Sequence, residues 1–164
     1  MGTKQTITTL GGINMAMIDV SGKDKILREA TAVGTIELKA ETIKRVQEEK
    51  IAKGDPLYTA KIAAILAAKK TSELIPLCHP LPLTNVEVYP KVVNDTTIEV
   101  RATVKTLAQT GVEMEALTAV STALLTIWDM TKQYEKDSKG QYPTTAIQNI
   151  HVTRKYKHQV ENKQ

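Results

Sequence analysis

The sequence contains no phenylalanine, one tryptophan and one cysteine. With aromatics at 4% of 164 residues, aliphatic side chains and alanine must fill the core. The single cysteine, Cys78, excludes an intrachain disulfide and a cysteine-built zinc site. A reducing cytoplasm is therefore the expected compartment. No run of about 18 apolar residues occurs, and the first residues are polar and threonine-rich, so neither a membrane span nor a secretory leader is expected. Internal repeats, low-complexity segments and the glycine-rich phosphate motifs GxxxxGK[ST] and GxGxxG are missing as well.

What remains is ordinary globular material, with 41% hydrophobic residues and a length that favours one domain. We read residues 1–13, ending in Gly11-Gly12, as a flexible lead-in. Residues 14–158 form a single catalytic domain, and 159–164 a polar tail. The net charge of +4, from 22 basic and 18 acidic residues, suits an anionic small molecule. It is too weak to argue for nucleic acid.

Residues 14–20 are apolar but short, a strand or an extended arm. Residues 30–38, with Val33, Ile36 and Leu38, read as a strand, and 40–50 as a helix with Ile43, Val46 and Gln47 facing inward. Lys53-Gly54-Asp55-Pro56 then starts a helix to about Lys70, with Asp55 as cap and Pro56 in the first turn. Leu57, Ile62, Ile65 and Leu66 sit there among alanines that permit close packing. Three prolines, Pro76, Pro80 and Pro82, forbid one continuous element across 73–84. Alternation at Val86 and Val88, then at Ile98, Val100, Ala102 and Val104, predicts strands over 85–93 and 96–106 joined at Asn94-Asp95. The longest helix opens at Thr110 and runs to about Lys136. Thr110 and Glu113 have capping-box spacing, and Met114, Leu117, Val120, Leu124 and Ile127 form its expected buried stripe. A last strand covers 146–155. This order predicts an α+β fold, a ferredoxin-like β-α-β-β-α-β sandwich with an extra helix and an antiparallel sheet.

Three groups of residues can carry chemistry. Pro76-Leu77-Cys78-His79-Pro80 holds a thiol and an imidazole in a rigid, irregular loop. Neighbouring residues rarely face each other as a nucleophilic pair, so a buried, inert Cys78 is favoured. For His79, ligand contact and a bond to backbone weigh equally. In Gly111-Val112-Glu113-Met114-Glu115, the cap is the stronger reading of Glu113. Glu115 lies roughly 200° further round the helix, near the apolar stripe, where a carboxylate needs a partner. Asp129 and Lys132 share a helical face: an ordinary surface ion pair, or, among Ile127, Trp128 and Met130, a proton acceptor or donor beside a lysine. Glu115 and Asp129 are roughly 21 Å apart along a helix and cannot line one small pocket of one chain. Lys53 stands out among Lys53, Lys61, Lys69, Lys132 and Lys155, because Gly54 lets the backbone turn beside it before a helix N-terminus, a phosphate-clamp arrangement.

Two strings, LIPLCHPLPLT at 74–84 and TGVEMEALTAVS at 110–121, closely resemble the family of molybdenum cofactor biosynthesis protein C, the cyclic pyranopterin monophosphate synthases. Shorter pieces fall in the same order: MIDVS at 17–21 with Lys23 and Arg28, Glu41-Thr42, KGD at 53–55, AKIA at 60–63, AAK at 67–69, and LTIWDM at 125–130 with Lys132. The resemblance covers nearly the whole chain. It implies conversion of 3',8-cyclo-7,8-dihydro-GTP to cyclic pyranopterin monophosphate, with pyrophosphate released and no cofactor. It implies that Asp129 is the acid/base, that Lys53, Lys132 and Lys155 are catalytic or phosphate-binding, and that Leu77, Cys78, His79, Met114, Glu115 and Glu113 contact substrate. Asp19, Lys23 and Arg28 would lie on an N-terminal segment that orders over the site. A homohexamer, a trimer of dimers with sites at subunit interfaces, is also implied; nucleic acid and membranes are not expected partners.

One departure concerns the end of the chain. The family often closes its last strand with a lysine and a glycine-rich tail, whereas Arg154-Lys155-Tyr156-Lys157-His158 has no glycine. Lys155 is the choice for the motif lysine, with Arg154 and Lys157 as alternatives. Two rivals are weaker. An RNA-binding sheet would show exposed aromatics on its central strands, where only Tyr89 is found. An inactive assembly subunit would not keep Lys53, His79, Glu115, Asp129 and Lys132.

Overall fold

The computed structural model describes residues 15–158. The expected lead-in over 1–13 and tail over 159–164 lie outside the described residues. The element order is β1 (Ile26–Glu37), α1 (Ala40–Gln47), α2 (Pro56–Lys69), α3 (Thr71–Leu74), β2 (Leu83–Asn94), β3 (Thr97–Ala108), α4 (Glu113–Glu135) and β4 (Ala146–His158). The strands form one antiparallel sheet in the order β2-β3-β1-β4, which is the expected ferredoxin-like α+β arrangement.

Period-two patterning sets the sheet. Ile98, Val100, Ala102 and Val104 of β3 are buried, as are Ala30, Ala32 and Ile36 of β1, and all join the core. The alternate residues, such as Thr31, Thr35, Glu99 and Arg101, lie on the face without helices. The register of β1 against β3 runs unbroken from Ile26↔Ala108 to Glu37↔Thr97. Against β4 the register shifts between Val33 and Thr35, next to Asn149, whose φ is 55°. There α4 presses on the sheet: a Cβ on Gly34 would come within 2.9 Å of Val120, Leu124 and Ile150. Glycine is the residue that permits this approach.

Asp55 caps α2 as expected, its Oδ1 accepting the N–H groups of Leu57 and Tyr58 at 2.8 and 3.0 Å. The helix buries Ala60, Ala64, Ala67 and Ala68 and leaves Ile62 and Leu66 exposed. Alanine thus faces the neighbouring α4, which contributes Ala116, Ala119 and Ala123 to the same core. In α1 the buried residues are Thr42, Ile43 and Val46, while Gln47 is exposed, contrary to expectation, because it falls past the last inward position.

The capping box at Thr110 does not form. The cap is Val112, with no side-chain bond, and Glu113 is already the first helical residue. Its carboxylate turns to Lys155 of β4 instead, since a cation on the adjacent strand outcompetes a neutral N–H. The expected stripe on α4 is also shifted. Met114 is 39% exposed and Leu117 only partly buried, while Ala116, Ala119, Val120, Ala123, Leu124 and Ile127 fill the interior. Close packing against α2 puts alanine inward and leaves Met114 and Leu117 toward the surface.

At its far end α4 is anchored by the fully buried Glu135. Its carboxylate accepts the Lys39 N–H at 3.1 Å and the Thr145 hydroxyl at 2.6 Å, tying the β1–α1 junction to the entry of β4. Lys39 Nζ donates to the Tyr134 and Lys136 carbonyls, where a cation suits the end of a helix. Residues 15–25 form an arm without helix or strand in front of β1.

Candidate active site

Helix α4 carries carboxylates toward both ends, Glu115 and Asp129, and they line different cavities. At its start is a cavity of about 210 Å³. Leu77, Cys78 and His79 line one side, Thr110, Gly111, Met114 and Glu115 another, and Ile18, Val20 and Lys23 of the arm cover it. The loop wall is irregular because of its prolines, as expected; after the single turn of α3, the chain is held by Cys78 N–H donating to the Ile75 carbonyl at 3.0 Å. His79 Nε2 lies 2.8 Å from the Ile18 carbonyl. A carbonyl only accepts, so Nε2 carries the hydrogen and His79 fastens the arm over the cavity. His79 thus bonds backbone and lines the pocket at once.

Glu115 is 4% exposed, and burial pushes its carboxyl above the usual range, with a further push from the charge of Glu113. The Cys78 thiol is raised too, by burial first and by Glu115 second. A raised thiol is a poor nucleophile, but Cys78 is half-buried and lines the cavity rather than lying buried as expected. Gly111 matters for shape, since a Cβ there would collide with the Glu113 carboxylate. Glu113 holds Lys155, whereas Arg154 turns to Glu29 at 2.5 Å. Asp19, on the arm, is exposed and accepts both the N–H and the hydroxyl of Ser21 at 2.9 and 2.7 Å, which lowers its carboxyl below the usual range.

Arg28 belongs to β1 rather than to the arm, and is 8% exposed. Its Nε and Nη2 donate to the Ala108 and Gln109 carbonyls at 2.9 and 2.8 Å. It thereby fixes the connection that leads into Thr110 and Gly111.

The second cavity, about 450 Å³, lies near the end of α4. Lys53 Nζ donates to Asp129 Oδ2 at 2.7 Å and to the Asp129 carbonyl at 2.9 Å, and Lys132 Nζ reaches Oδ1 at 2.7 Å. The hydrogen bonds from Lys132, then Lys53, hold the Asp129 carboxyl down at about 2, and Asp129 in turn raises Lys132. All three side chains are about half exposed. Gly54, with φ 96°, makes the turn that brings Lys53 here. The N-terminus of α2 is not open to an anion as the clamp reading supposed, because the Asp55 carboxylate already occupies it. Trp128 and Tyr142, with ring centres 5.7 Å apart, and Leu125 and Ile147 form the apolar remainder of this cavity. No lining residue is common to the two cavities.

Of the other lysines, Lys61 Nζ sits 5.9 Å from the Tyr89 ring centre and Lys69 lines a groove with Thr84 and Asn85. Ile18, Val20, Leu81 and Leu125 fall inside the quoted strings without a role assigned to them, and Tyr142 and Ile147 fall outside every string; isolated aliphatic residues and a tyrosine in a loop carry no spacing that marks them. Tyr89 lies on the edge strand β2, so the central strands present no aromatic surface. Among the described residues no cluster of His, Cys, Asp and Glu converges as a metal site would, and no helix is long and apolar enough to cross a membrane.

This arrangement meets known proteins at the level of sequence. The chain is 57% identical over 141 residues to a protein of Sulfolobus acidocaldarius named probable cyclic pyranopterin monophosphate synthase, covering 86% of this chain and 98% of the relative. A protein of the same name from Methanococcoides burtonii is 52% identical over 147 residues, 89% of this chain and 91% of the relative. One from Methanothermobacter thermautotrophicus, 57% identical over 141 residues, 86% of this chain and 88% of the relative, is named probable cyclic pyranopterin monophosphate synthase accessory protein. The MoaC family model matches residues 17–158, taking in the arm, the loop, both ends of α4 and the last strand, and the chain belongs to that family.

Proposed function

We propose that this chain acts as a cyclic pyranopterin monophosphate synthase, converting 3',8-cyclo-7,8-dihydro-GTP to cyclic pyranopterin monophosphate and pyrophosphate. This is a phosphorus–oxygen lyase reaction of molybdenum cofactor biosynthesis. The observation that carries the reading beyond the relatives' names is the Asp129 carboxylate gripped at 2.7 Å by Lys53 and Lys132 on an open wall. A cyclic phosphate forms when a substrate hydroxyl attacks the α-phosphorus and the bond to the bridging oxygen of the departing pyrophosphate breaks. The hydroxyl proton needs an acceptor, and the departing oxygens need cations. Asp129 and its two lysines supply both. While both lysines hold it, Asp129 is a weak base. A polyphosphate that draws them off restores its basicity, so substrate arrival and base activation are one event.

At the other end of α4, Glu115, His79 and Lys155, with Leu77, Cys78, Met114 and Glu113, form the face that takes the rest of the substrate, and Asp19, Lys23 and Arg28 order or support its cover. The reading asks for no metal or organic cofactor. Since the two ends open into different cavities of one chain, a complete site combines copies, in keeping with a cytoplasmic homohexamer built as a trimer of dimers. The test is to supply the cyclic GTP derivative to the purified protein. Pyrophosphate release matched by pterin formation is expected, and neither product appearing would remove the reading.

A further inference from the structure

Lys53 reaches Asp129 from a turn that little else holds. Residues 48–55 join α1 to α2 without helix or strand, and Ala52, Lys53 and Gly54 are exposed. Inside the turn, the Gly54 N–H donates to the Ile51 carbonyl at 2.9 Å. Among the described residues, one side chain of another element bonds the backbone of this turn: the Tyr134 hydroxyl of α4 accepts the Ala52 N–H at 2.9 Å. The next residue is Lys53, whose Nζ ends on Asp129 of the same helix. The lysine is thus pinned to α4 at two points, roughly 7.5 Å apart along its axis at 1.5 Å per residue.

Tyr134 is itself firmly placed. Its carbonyl accepts Lys39 Nζ at 3.2 Å, and the adjoining Glu135 is buried on the Lys39 N–H and the Thr145 hydroxyl. The Arg45 guanidinium of α1 lies over the Tyr134 ring, 5.1 Å from its centre, and Glu41 in turn holds Arg45 at 3.1 Å. A bond to an exposed N–H that water could also serve contributes modestly to folding, but it decides where the turn stands. A lysine has a long flexible stem, so its reach is only as well defined as the backbone that carries it.

We propose that Tyr134 is the positioning residue for Lys53: by accepting the Ala52 N–H, its hydroxyl sets the turn from which Lys53 reaches Asp129 and the departing pyrophosphate. The inference rests on the role that the proposed function gives Lys53. Tyr134→Phe tests it, since it keeps the ring beneath Arg45 and removes only the acceptor. In the parent, the Ala52 amide should exchange with deuterium more slowly than that of Lys53, although both lie on an exposed turn. Equal rates would overturn the tie, and this measurement needs no variant. In Tyr134→Phe the protection should vanish, and kcat/KM for the cyclic GTP derivative should fall by about 10- to 10²-fold, the scale of a misplaced group. Parental turnover in that variant would overturn the positioning role. In the Lys53→Ala background, Tyr134→Phe should cost nothing more, because it acts through the lysine. A further loss there would mean that Tyr134 acts by another route and would overturn the inference. Failure of the functional reading looks different. Lys53→Ala would then itself keep full turnover, removing Lys53 from the reaction and Tyr134 with it, whereas failure of this inference alone leaves Lys53→Ala slow and Tyr134→Phe at the parental rate.

Discussion

Glu115 and Asp129 are carboxylates on one helix, and their surroundings push them in opposite directions. Glu115 is buried beside Cys78 and Glu113, and its carboxyl rises. Asp129 is exposed between Lys53 and Lys132, and its carboxyl falls to about 2. Opposite shifts of this kind fit two carboxyl groups for different tasks. The helix teaches that sequence spacing says only where a carboxylate stands; packing and partners decide which role it takes.

The largest effect should come from breaking the exposed end. Asp129→Asn removes the proposed proton acceptor and the anchor of both lysines. A loss of about 10²- to 10⁴-fold in pyrophosphate release is expected, the usual scale for a general base. Lys53→Ala should fall in a similar range. Because these side chains are half exposed, both variants should keep the native circular dichroism spectrum. Full turnover in either would take that residue out of the reaction.

Next in size is the brace behind the buried end. Arg28→Ala frees the Ala108 and Gln109 carbonyls in a buried setting. A loss of about 1.5–3 kcal/mol in urea unfolding is expected for bonds from a charged donor. Equal stability of variant and parent would mean that the guanidinium is not structural and is free for ligand.

Against pH the two carboxylates should contribute to stability with opposite signs. With its pKa raised above the ordinary 4.5, Glu115 binds a proton in the folded chain after the unfolded chain has lost it. Stability from this group therefore falls as pH rises through 4.5 toward the folded value. Glu115→Gln should gain on the parent over that window and match it below. Asp129, lowered from 3.8 to about 2, contributes stability above 3.8 that is lost as pH falls toward 2. Asp129→Asn should thus be the less stable chain at neutral pH and converge with the parent in acid, by a smaller amount because solvent screens the exposed pair. Unfolding curves from pH 2 to 8 would show both, and matching slopes would refute the contrast.

Much of this was legible beforehand, for identifiable reasons. Period two in 98–104 and the Asp55-Pro56 start are local signals, and both held. The separation of Glu115 from Asp129 followed from helical rise alone and reappears as two cavities. The capping box failed because Lys155, far away in sequence, claims the Glu113 carboxylate. The stripe on α4 was right at Val120, Leu124 and Ile127 and wrong at Met114 and Leu117, because Ala116, Ala119 and Ala123 pack inward where a second helix comes close. The cleft of Leu125, Trp128, Tyr142 and Ile147 draws on a helix, a loop and a strand, and nothing in the order of residues announces that meeting.

The smallest effect is also the most local probe. Cys78 is the only thiol, and its reaction with iodoacetamide reports the buried end without interference. Its midpoint should lie above the ordinary 9.0, because burial and then the Glu115 charge oppose the thiolate. Glu115→Gln removes the second cause and should bring the midpoint down, while leaving the part due to burial. Asp129→Asn then asks a different question. Along α4 the two ends are roughly 21 Å apart, far beyond the screening length of about 8 Å at physiological salt. The charge of Asp129 therefore cannot reach Cys78 through its own chain. A shift of the Cys78 midpoint in Asp129→Asn would report an Asp129 delivered by another copy, and its absence would confine the two carboxylates to separate surroundings.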